Sequence, residues 1–273
     1  MLKRAFDLGV CASPALKRAL IQRLYHTIST LDRDADLPLM NYGYASLNGG
    51  RPPILRPEDE EHRLGIQLYH HLAGAVELAG KEVLEVGSGR GGGAAYVARH
   101  LGPKSLLGVD RCRKAVEFCA RAYAVDGLSF REGDAEALPA ADGSFDVVMN
   151  VESSHGYGSL ARFLAEVRRV LRPGGHFLYA DHRNRHELEG WRKQLGASGL
   201  SLLKEEEITP QVVRALELDH DRKARLIAEK CPRWLRGALH EFAATRDSRA
   251  FERFRTREVR YLNFVFQKPG GDA

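Results

Sequence analysis

The sequence predicts an α/β fold, a doubly wound sheet with helices packed around it, and three observations carry the prediction. First, Val83, Leu84 and Val86 form a short β-prone run, and four of the six residues 87–92 are glycine. From Ala94 the pattern turns helical, with Val97, Ala98 and Leu101 at i, i+1 and i+4 before Gly102 ends it. Second, short apolar strands and amphipathic helices alternate from there to residue 208. Third, Glu258–Lys268 alternates apolar and polar side chains as a late strand, separated from a strand-like run at Leu200–Ile208 by a helical, charge-rich stretch.

Taken in order, residues 13–31 open with Ser13-Pro14 as cap and first turn and place Leu16, Leu20, Ile21, Leu24 and Tyr25 at helical spacing. Lys17, Arg18 and Arg23 occupy the other face. The helix reads as a packed cap or, alternatively, as one that lies on a membrane. Leu39–Leu47 is loop-like, with Gly43 between Tyr42 and Tyr44. Residues 57–79 read as a helix opened by acids that suit the N-terminal dipole, with Leu64, Ile66, Leu68, Tyr69 and Leu72 turned inward.

The strand, glycine turn and helix of 81–102 come next. Gly87 and Gly89 let the backbone turn tightly and approach a ligand, and the helix start offers N–H groups to a carboxylate or phosphate. Ser105–Asp110 is a second strand. It ends on a carboxylate at the sheet edge where ligands bind, so Asp110 can accept from ribose hydroxyls or cap the helix expected over 111–125. Leu128–Asp134 is the third strand and Gly143–Asn150 the fourth. The helix Leu160–Leu171 and the turn Arg172-Pro173-Gly174-Gly175 lead to the fifth, His176–Asp181. Glu187–Ala197 is another helix. Residues 209–254 are helical, with Val212, Val213, Leu216, Leu226 and Ile227 apolar and a break at Cys231-Pro232.

A chain of 273 residues can bury one α/β core with material left for a cap. It has no stretch of the roughly 18 apolar residues that span a bilayer, and its first residues lack the apolar centre of a secretory signal. Cys11, Cys112, Cys119 and Cys231 show no C-x-x-C pairing, so reduced thiols and a cytoplasmic location are expected. A net charge of +5, spread along the chain with acids between, permits an anionic substrate or a membrane surface and marks no nucleic-acid module.

Gly87, Gly89 and Gly92 satisfy G-x-G-x-x-G, and Asp110 stands about where a dinucleotide fold puts its ribose acid, which leaves NAD open on that motif alone. Glu85 changes the reading. The string Glu85-Val86-Gly87-Ser88-Gly89-Arg90-Gly91 resembles motif I, E/D-x-G-x-G-x-G, of class I S-adenosylmethionine-dependent methyltransferases. Phe145-Asp146-Val147-Val148 and the run Glu166–Gly175 resemble the fourth strand and the following helix and turn of the same superfamily. Asn41-Tyr42-Gly43-Tyr44 is similar to bacterial methyltransferases acting on polyketides, glycolipids and fatty acids.

The resemblance implies a Rossmann-like sheet of seven strands in the order 3-2-1-4-5-7-6, the last antiparallel. It implies a single domain with a helical cap over 1–79, a core over 80–208 and 255–268, and a helical acceptor-side insertion over 209–254. The implied cofactor is S-adenosylmethionine, with no metal. Glu85, Gly87, Ser88, Gly89, Asp110, Arg111, Asp134, Ala135 and Asn150 are expected around it, with Tyr42 and Tyr44 closing over it. The implied reaction is methyl transfer to a hydroxyl or carboxylate oxygen of a secondary metabolite or lipid, such as a polyketide. N- or C-methylation is the alternative, and RNA methylation a more distant one. The expected partner is a small-molecule acceptor, with no nucleic acid and at most peripheral membrane contact.

Such a reaction needs an acceptor lone pair aligned behind the methyl carbon, water excluded and, for a hydroxyl, a proton removed. His155 lies five residues past the fourth strand and Asp181 closes the fifth, so both project from carboxyl ends of neighbouring strands. An imidazole can take the proton and a carboxylate can orient it. Several small-molecule O-methyltransferases carry Glu-Ser-x-His here, present as Glu152-Ser153-Ser154-His155. His182 and His186 are the nearby competitors for the base. The insertion over 209–254 is expected to be a mobile acceptor cover rather than core.

Overall fold

The computed structural model describes residues 37–49 and 52–270, and the helix expected over 13–31 lies outside them. Seven strands form one sheet: β1 (Glu82–Val86), β2 (Ser105–Asp110), β3 (Leu128–Glu132), β4 (Phe145–Val151), β5 (Leu171–Asn184), β6 (Ser201–Glu207) and β7 (Val259–Gln267). Their order is β3-β2-β1-β4-β5-β7-β6, with β7 antiparallel to both its neighbours and the other pairs parallel. This is the predicted topology.

The sheet is doubly covered because side chains along each strand alternate between two cores. Val83, Val147, Met149, Leu178, Ala180, Tyr261 and Val265 face one side. There they meet α1 (Arg63–Ala73) and α2 (Gly92–His100). Leu84, Val148, Phe177, Tyr179, Leu262, Phe264 and Phe266 face the other, under α4 (Leu160–Val170) and α5 (Leu188–Gly196). Between these, α3 (Arg113–Ala122) joins β2 to β3 and buries Ala115 and Cys119. The helix expected over 57–79 is shorter. A 3₁₀ turn at Pro57–His62 leads into α1, which stops at Ala73 where the Gly74 N–H bonds His70 and Leu72 carbonyls.

Two boundaries differ in ways that matter for the site. β5 starts at Leu171, not His176. Arg172–Gly175 bulges out between the partner pairs Phe145–Leu171 and Val147–His176, with Gly174 at φ +77°. β5 also runs past Asp181 to Asn184, because β7 pairs with it as far as Asn184–Val259.

The 209–254 stretch divides into four helices: α6 (Thr209–Leu218), α7 (His220–Lys230), α8 (Arg233–Phe242) and α9 (Arg249–Arg255). Val212 and Leu216 of α6 and Phe251 and Phe254 of α9 belong to the first core. The expectation that the whole stretch stays out of the core is therefore corrected for α6 and α9, whose apolar residues recur at i, i+3 or i, i+4 and press on the sheet. Only α7 and α8 stand apart, around a satellite cluster of Ile227, Leu235 and Leu239. No helix among the described residues is long and apolar enough to cross a membrane.

Candidate active site

A cavity of about 790 Å³ opens at the carboxyl ends of β1, β2, β4 and β5, straddling the point where the chain reverses direction across the sheet between β1 and β4. On one side, Gly87, Ser88, Gly89, Asp110, Arg111, Asp134 and Ala135, seven of the residues expected around the cofactor, line it. On the other are Tyr42, Glu152, Ser153, His155, Tyr157 and His182.

The glycine loop is held by its neighbour strand. Gly87 and Ser88 N–H groups donate to the Val109 carbonyl at 2.7 and 3.1 Å, and Gly89 N–H donates to Asp110 Oδ2 at 2.9 Å. Gly87 sits at φ +75°, and a Cβ there would fall inside van der Waals contact with Ser153 Oγ, so only glycine fits. Asp110 Oδ1 accepts from Cys112 N–H at 2.8 Å. Burial pushes its carboxyl up, against the pull of these two N–H donors. Each oxygen keeps a lone pair for a diol facing the cavity.

Ser88 Oγ is buried with no hydrogen-bond partner, an orphan that a polar ligand in the cavity would satisfy. Asp134 is exposed at the lip and accepts from Glu136 N–H at 2.9 Å. The glycine cradle, the orphan hydroxyl and two carboxylates fit a nucleoside bearing an amino acid, and the volume suits a ligand of that size.

Three predicted cofactor residues are not brought into the cavity wall. Glu85 points from β1 toward α1, on the same face as Val83, and is 1 % exposed with Tyr69 donating to Oε1 at 2.6 Å. Asn150 is fully buried on the opposite face. Its Nδ2 donates to the Val86 carbonyl at 2.8 Å and to Tyr157 Oη at 2.9 Å, tying β4 to β1 beneath the site. Tyr44 turns away, the backbone between the two tyrosines passing through Gly43 at φ +86°. Its ring stacks on His71 at 4.3 Å, while Tyr42 alone reaches the cavity.

Glu85 has a measurable consequence. Burial pushes its carboxyl from the ordinary 4.5 to about 8, opposed by the Tyr69 hydrogen bond and aided by Asp110. Between those values the folded protein holds a proton that the unfolded chain releases, so this group's contribution to stability falls as pH rises through that window. Glu85→Gln keeps an acceptor for Tyr69 and removes the titration. The ligand-free variant is expected to lose about one proton from the pH slope of unfolding between 4.5 and about 8. Near the upper end it should gain on the order of a few kcal/mol. Denaturant titrations across that range check it, and an unchanged slope would mean that Glu85 is ionised in the fold.

The second side of the cavity is built around Asp181, which is fully buried. His155 Nδ1 lies 2.9 Å from Asp181 Oδ1, and His155 N–H donates to Oδ2 at 3.0 Å. His182 N–H donates to Oδ1 at 2.8 Å, Ser154 Oγ to Oδ2 at 2.6 Å, and Arg183 Nη1 stands 3.1 Å from Oδ2. Burial alone would raise this carboxyl, but Arg183, His155 and His182 overcome it and hold it well below the usual range. Asp181 is therefore a carboxylate that must be matched by donors, and it is. His155, Asp181 and His182 offer ligand atoms within 4.8 Å of one another, yet both Asp181 oxygens are already taken by N–H and O–H donors and Arg183.

Sequence reasoning missed three residues here. Arg183, two residues along β5 on the same face as Asp181, was hidden because the strand was expected to end at 181. Tyr157 lines the cavity and meets Ser153 Oγ at 2.7 Å, with nothing in the sequence to mark it. Glu152 stood in the quoted Glu-Ser-x-His string without a role of its own. It takes a left-handed backbone, φ +47°, and its Oε1 accepts from Tyr42 N–H at 2.8 Å and Tyr261 Oη at 3.0 Å. Burial raises its carboxyl to about 8, those donors pull it back, and Asp181 adds to the rise. A strained non-glycine residue at the mouth of a cavity is a common mark of function.

Residues 84–179 match the methyltransferase domain family. The chain is 40 % identical over 240 residues to a fatty-acid O-methyltransferase of Mycolicibacterium smegmatis, covering 87 % of this chain and 85 % of that protein. It is 41 % identical over 220 residues to the phthiotriol/phenolphthiotriol dimycocerosates methyltransferase of Mycobacterium tuberculosis, covering 80 % and 82 %. Among solved structures it is similar in fold to geranyl diphosphate C-methyltransferase of Streptomyces coelicolor, crystallised with Mg²⁺, geranyl diphosphate and S-adenosyl-L-homocysteine. The TM-score is 0.63 at 17 % identity, over 89 % of this chain and 98 % of that one.

Proposed function

We propose that this chain, which belongs to the class I S-adenosylmethionine-dependent methyltransferases and is an O-methyltransferase, acts on a hydroxyl or carboxylate oxygen of a lipid. Membership rests on the 40 % identity across most of both chains. The lipid acceptor is inferred from what the two relatives are named for. The observation that carries the mechanism is the His155–Asp181 pair set against the cavity.

Bound in the glycine cradle, S-adenosylmethionine supplies a methyl group already activated by its sulfonium charge. Asp110 and Ser88 would hold its polar groups, with Asp134 and Ala135 beside its adenine. Asp181 accepts a hydrogen from Nδ1 of His155, which fixes that tautomer and leaves Nε2 with its lone pair. For a hydroxyl acceptor, Nε2 would take the proton as the oxygen bonds to the methyl carbon and the carbon–sulfur bond breaks, S-adenosylhomocysteine being the leaving group. Asp181 would stabilise the imidazolium. Arg183 keeps Asp181 ionised throughout. A fatty-acid carboxylate has no proton to give near neutral pH, since such groups titrate near 4. His155 then only orients it. Tyr42, Tyr157 and His182 wall off water.

The test is turnover of S-adenosylmethionine against a panel of free fatty acids, long-chain alcohols, hydroxylated polyketides and amines, with products identified by mass spectrometry. Methyl esters or ethers of lipids are expected. Methylation confined to amines or carbon would overturn the oxygen assignment, and turnover confined to water-soluble acceptors would overturn the lipid one.

A further inference from the structure

Beside the main cavity lies a smaller recess of about 100 Å³, between the 37–42 segment and helices α7 and α8. Leu37, Leu226, Ile227 and Leu239 are its own walls, and Tyr42 and Phe242 are common to both spaces. Of the cations at its edge, Arg222, Lys223 and Lys230, two are held by one carboxylate. Arg222 binds both oxygens of Asp219 at 2.6 and 2.7 Å, and Lys223 Nζ lies 3.6 Å from the same carboxylate. A void walled by leucine, isoleucine and phenylalanine holds water poorly, because each buried water needs two to four polar partners. Hydrocarbon suits it.

The recess also stands where a chain would have to go. His182 stacks on His155 with ring centroids 4.6 Å apart, and Tyr42 lies 5.4 Å beyond His182. The shared wall therefore begins within two aromatic rings of the His155–Asp181 pair. We propose that this recess is the subsite for the alkyl chain of the acceptor, entered from the main cavity past Tyr42 and Phe242, with the reactive oxygen left beside His155. The inference rests on the lipid-acceptor reading and adds where the chain is held and which residues set its length.

Two cysteines give a readout independent of turnover. Cys231 lines the recess and Cys112 the main cavity, and both are partly exposed. Thiol alkylation of the wild-type protein is followed peptide by peptide by mass spectrometry with hexanoic, dodecanoic or hexadecanoic acid, or with S-adenosylhomocysteine. The longer acids should slow alkylation of Cys231 about tenfold at ten times their Kd, and hexanoic acid should not. S-adenosylhomocysteine should protect Cys112 and leave Cys231 exposed. In turnover, kcat/KM should rise about fourfold per methylene until the recess is full. Leu226→Trp should end that rise at a shorter chain and leave hexanoic acid unaffected.

Equal labelling of Cys231 with hexadecanoic and hexanoic acid overturns the assignment, whether or not either acid is methylated. Protection of Cys231 by the long acids with no lipid methylated leaves the recess assignment standing and removes the acceptor reading. Should Leu226→Trp fail to fold, the wild-type footprint decides alone.

Discussion

Replacing His155 with alanine is expected to lower kcat on a hydroxylated acceptor by about 10²–10⁴-fold, the usual cost of removing a positioned general base. Affinity for S-adenosylmethionine should stay nearly unchanged, because the cradle from Gly87 to Asp110 is built on β1 and β2 and has no bond to His155. The loss should be far smaller with a fatty acid, whose carboxylate has no proton to surrender. Asp181→Asn should fall between, since an amide can still place the ring but cannot stabilise its cation. Calorimetry for the cofactor and single-turnover rates for both acceptor types check this. Equal losses on alcohol and acid would mean that His155 positions the acceptor rather than deprotonates it. A kcat kept within a few-fold, with chemistry rate-limiting, would move the base to His182.

Arg183→Met should destabilise the protein by about 3–5 kcal/mol, since it strips the cation from a buried carboxylate and leaves the charge uncompensated. Arg183 donates to the His182 carbonyl at 2.6 Å and to Ser154 Oγ at 2.9 Å, and its guanidinium lies over Trp191 at 4.6 Å. Methionine keeps the packing on Trp191 and removes the charge. Because the Asp181 carboxyl is depressed in the fold, its contribution to stability is present above the unfolded value near 3.9 and lost as pH falls. The variant should therefore be weakest relative to wild type at neutral pH and draw level in acid. Adding Asp181→Asn to Arg183→Met should recover part of the loss, as no unpaired charge remains. Urea unfolding of the four proteins in the cycle measures the coupling. A loss below about 1 kcal/mol for Arg183→Met would show that His155 and the N–H donors suffice to hold Asp181.

Side-chain periodicity and short motifs by themselves determined the strands, the glycine turn, and the placing of Asp110, Asp134, His155 and Asp181 at or just past strand ends, while the strand order came from the family resemblance that those motifs carry. These are local properties: an acid just past an apolar strand lies at a strand end wherever that strand pairs. What the tertiary structure alone decided is which neighbour of each such residue faces the ligand. Glu85 and Asn150 lie inside strands, where alternation sends one toward Tyr69 and the other toward Tyr157, and neither into the cavity. Tyr42 and Tyr44 flank Gly43 alike in the sequence, yet Tyr42 lines the cavity and Tyr44 stacks on His71. Arg183 became the partner of Asp181 because β7 pairs far enough to carry β5 three residues past it, which puts Arg183 on the same face. The stretch 209–254 looked uniform, yet α6 and α9 entered the core while α7 and α8 closed an apolar recess. For Arg183 and for the 209–254 helices the deciding contacts join segments tens of residues apart. Which face a helix buries depends on the surface it meets, and that surface exists only once the sheet has formed.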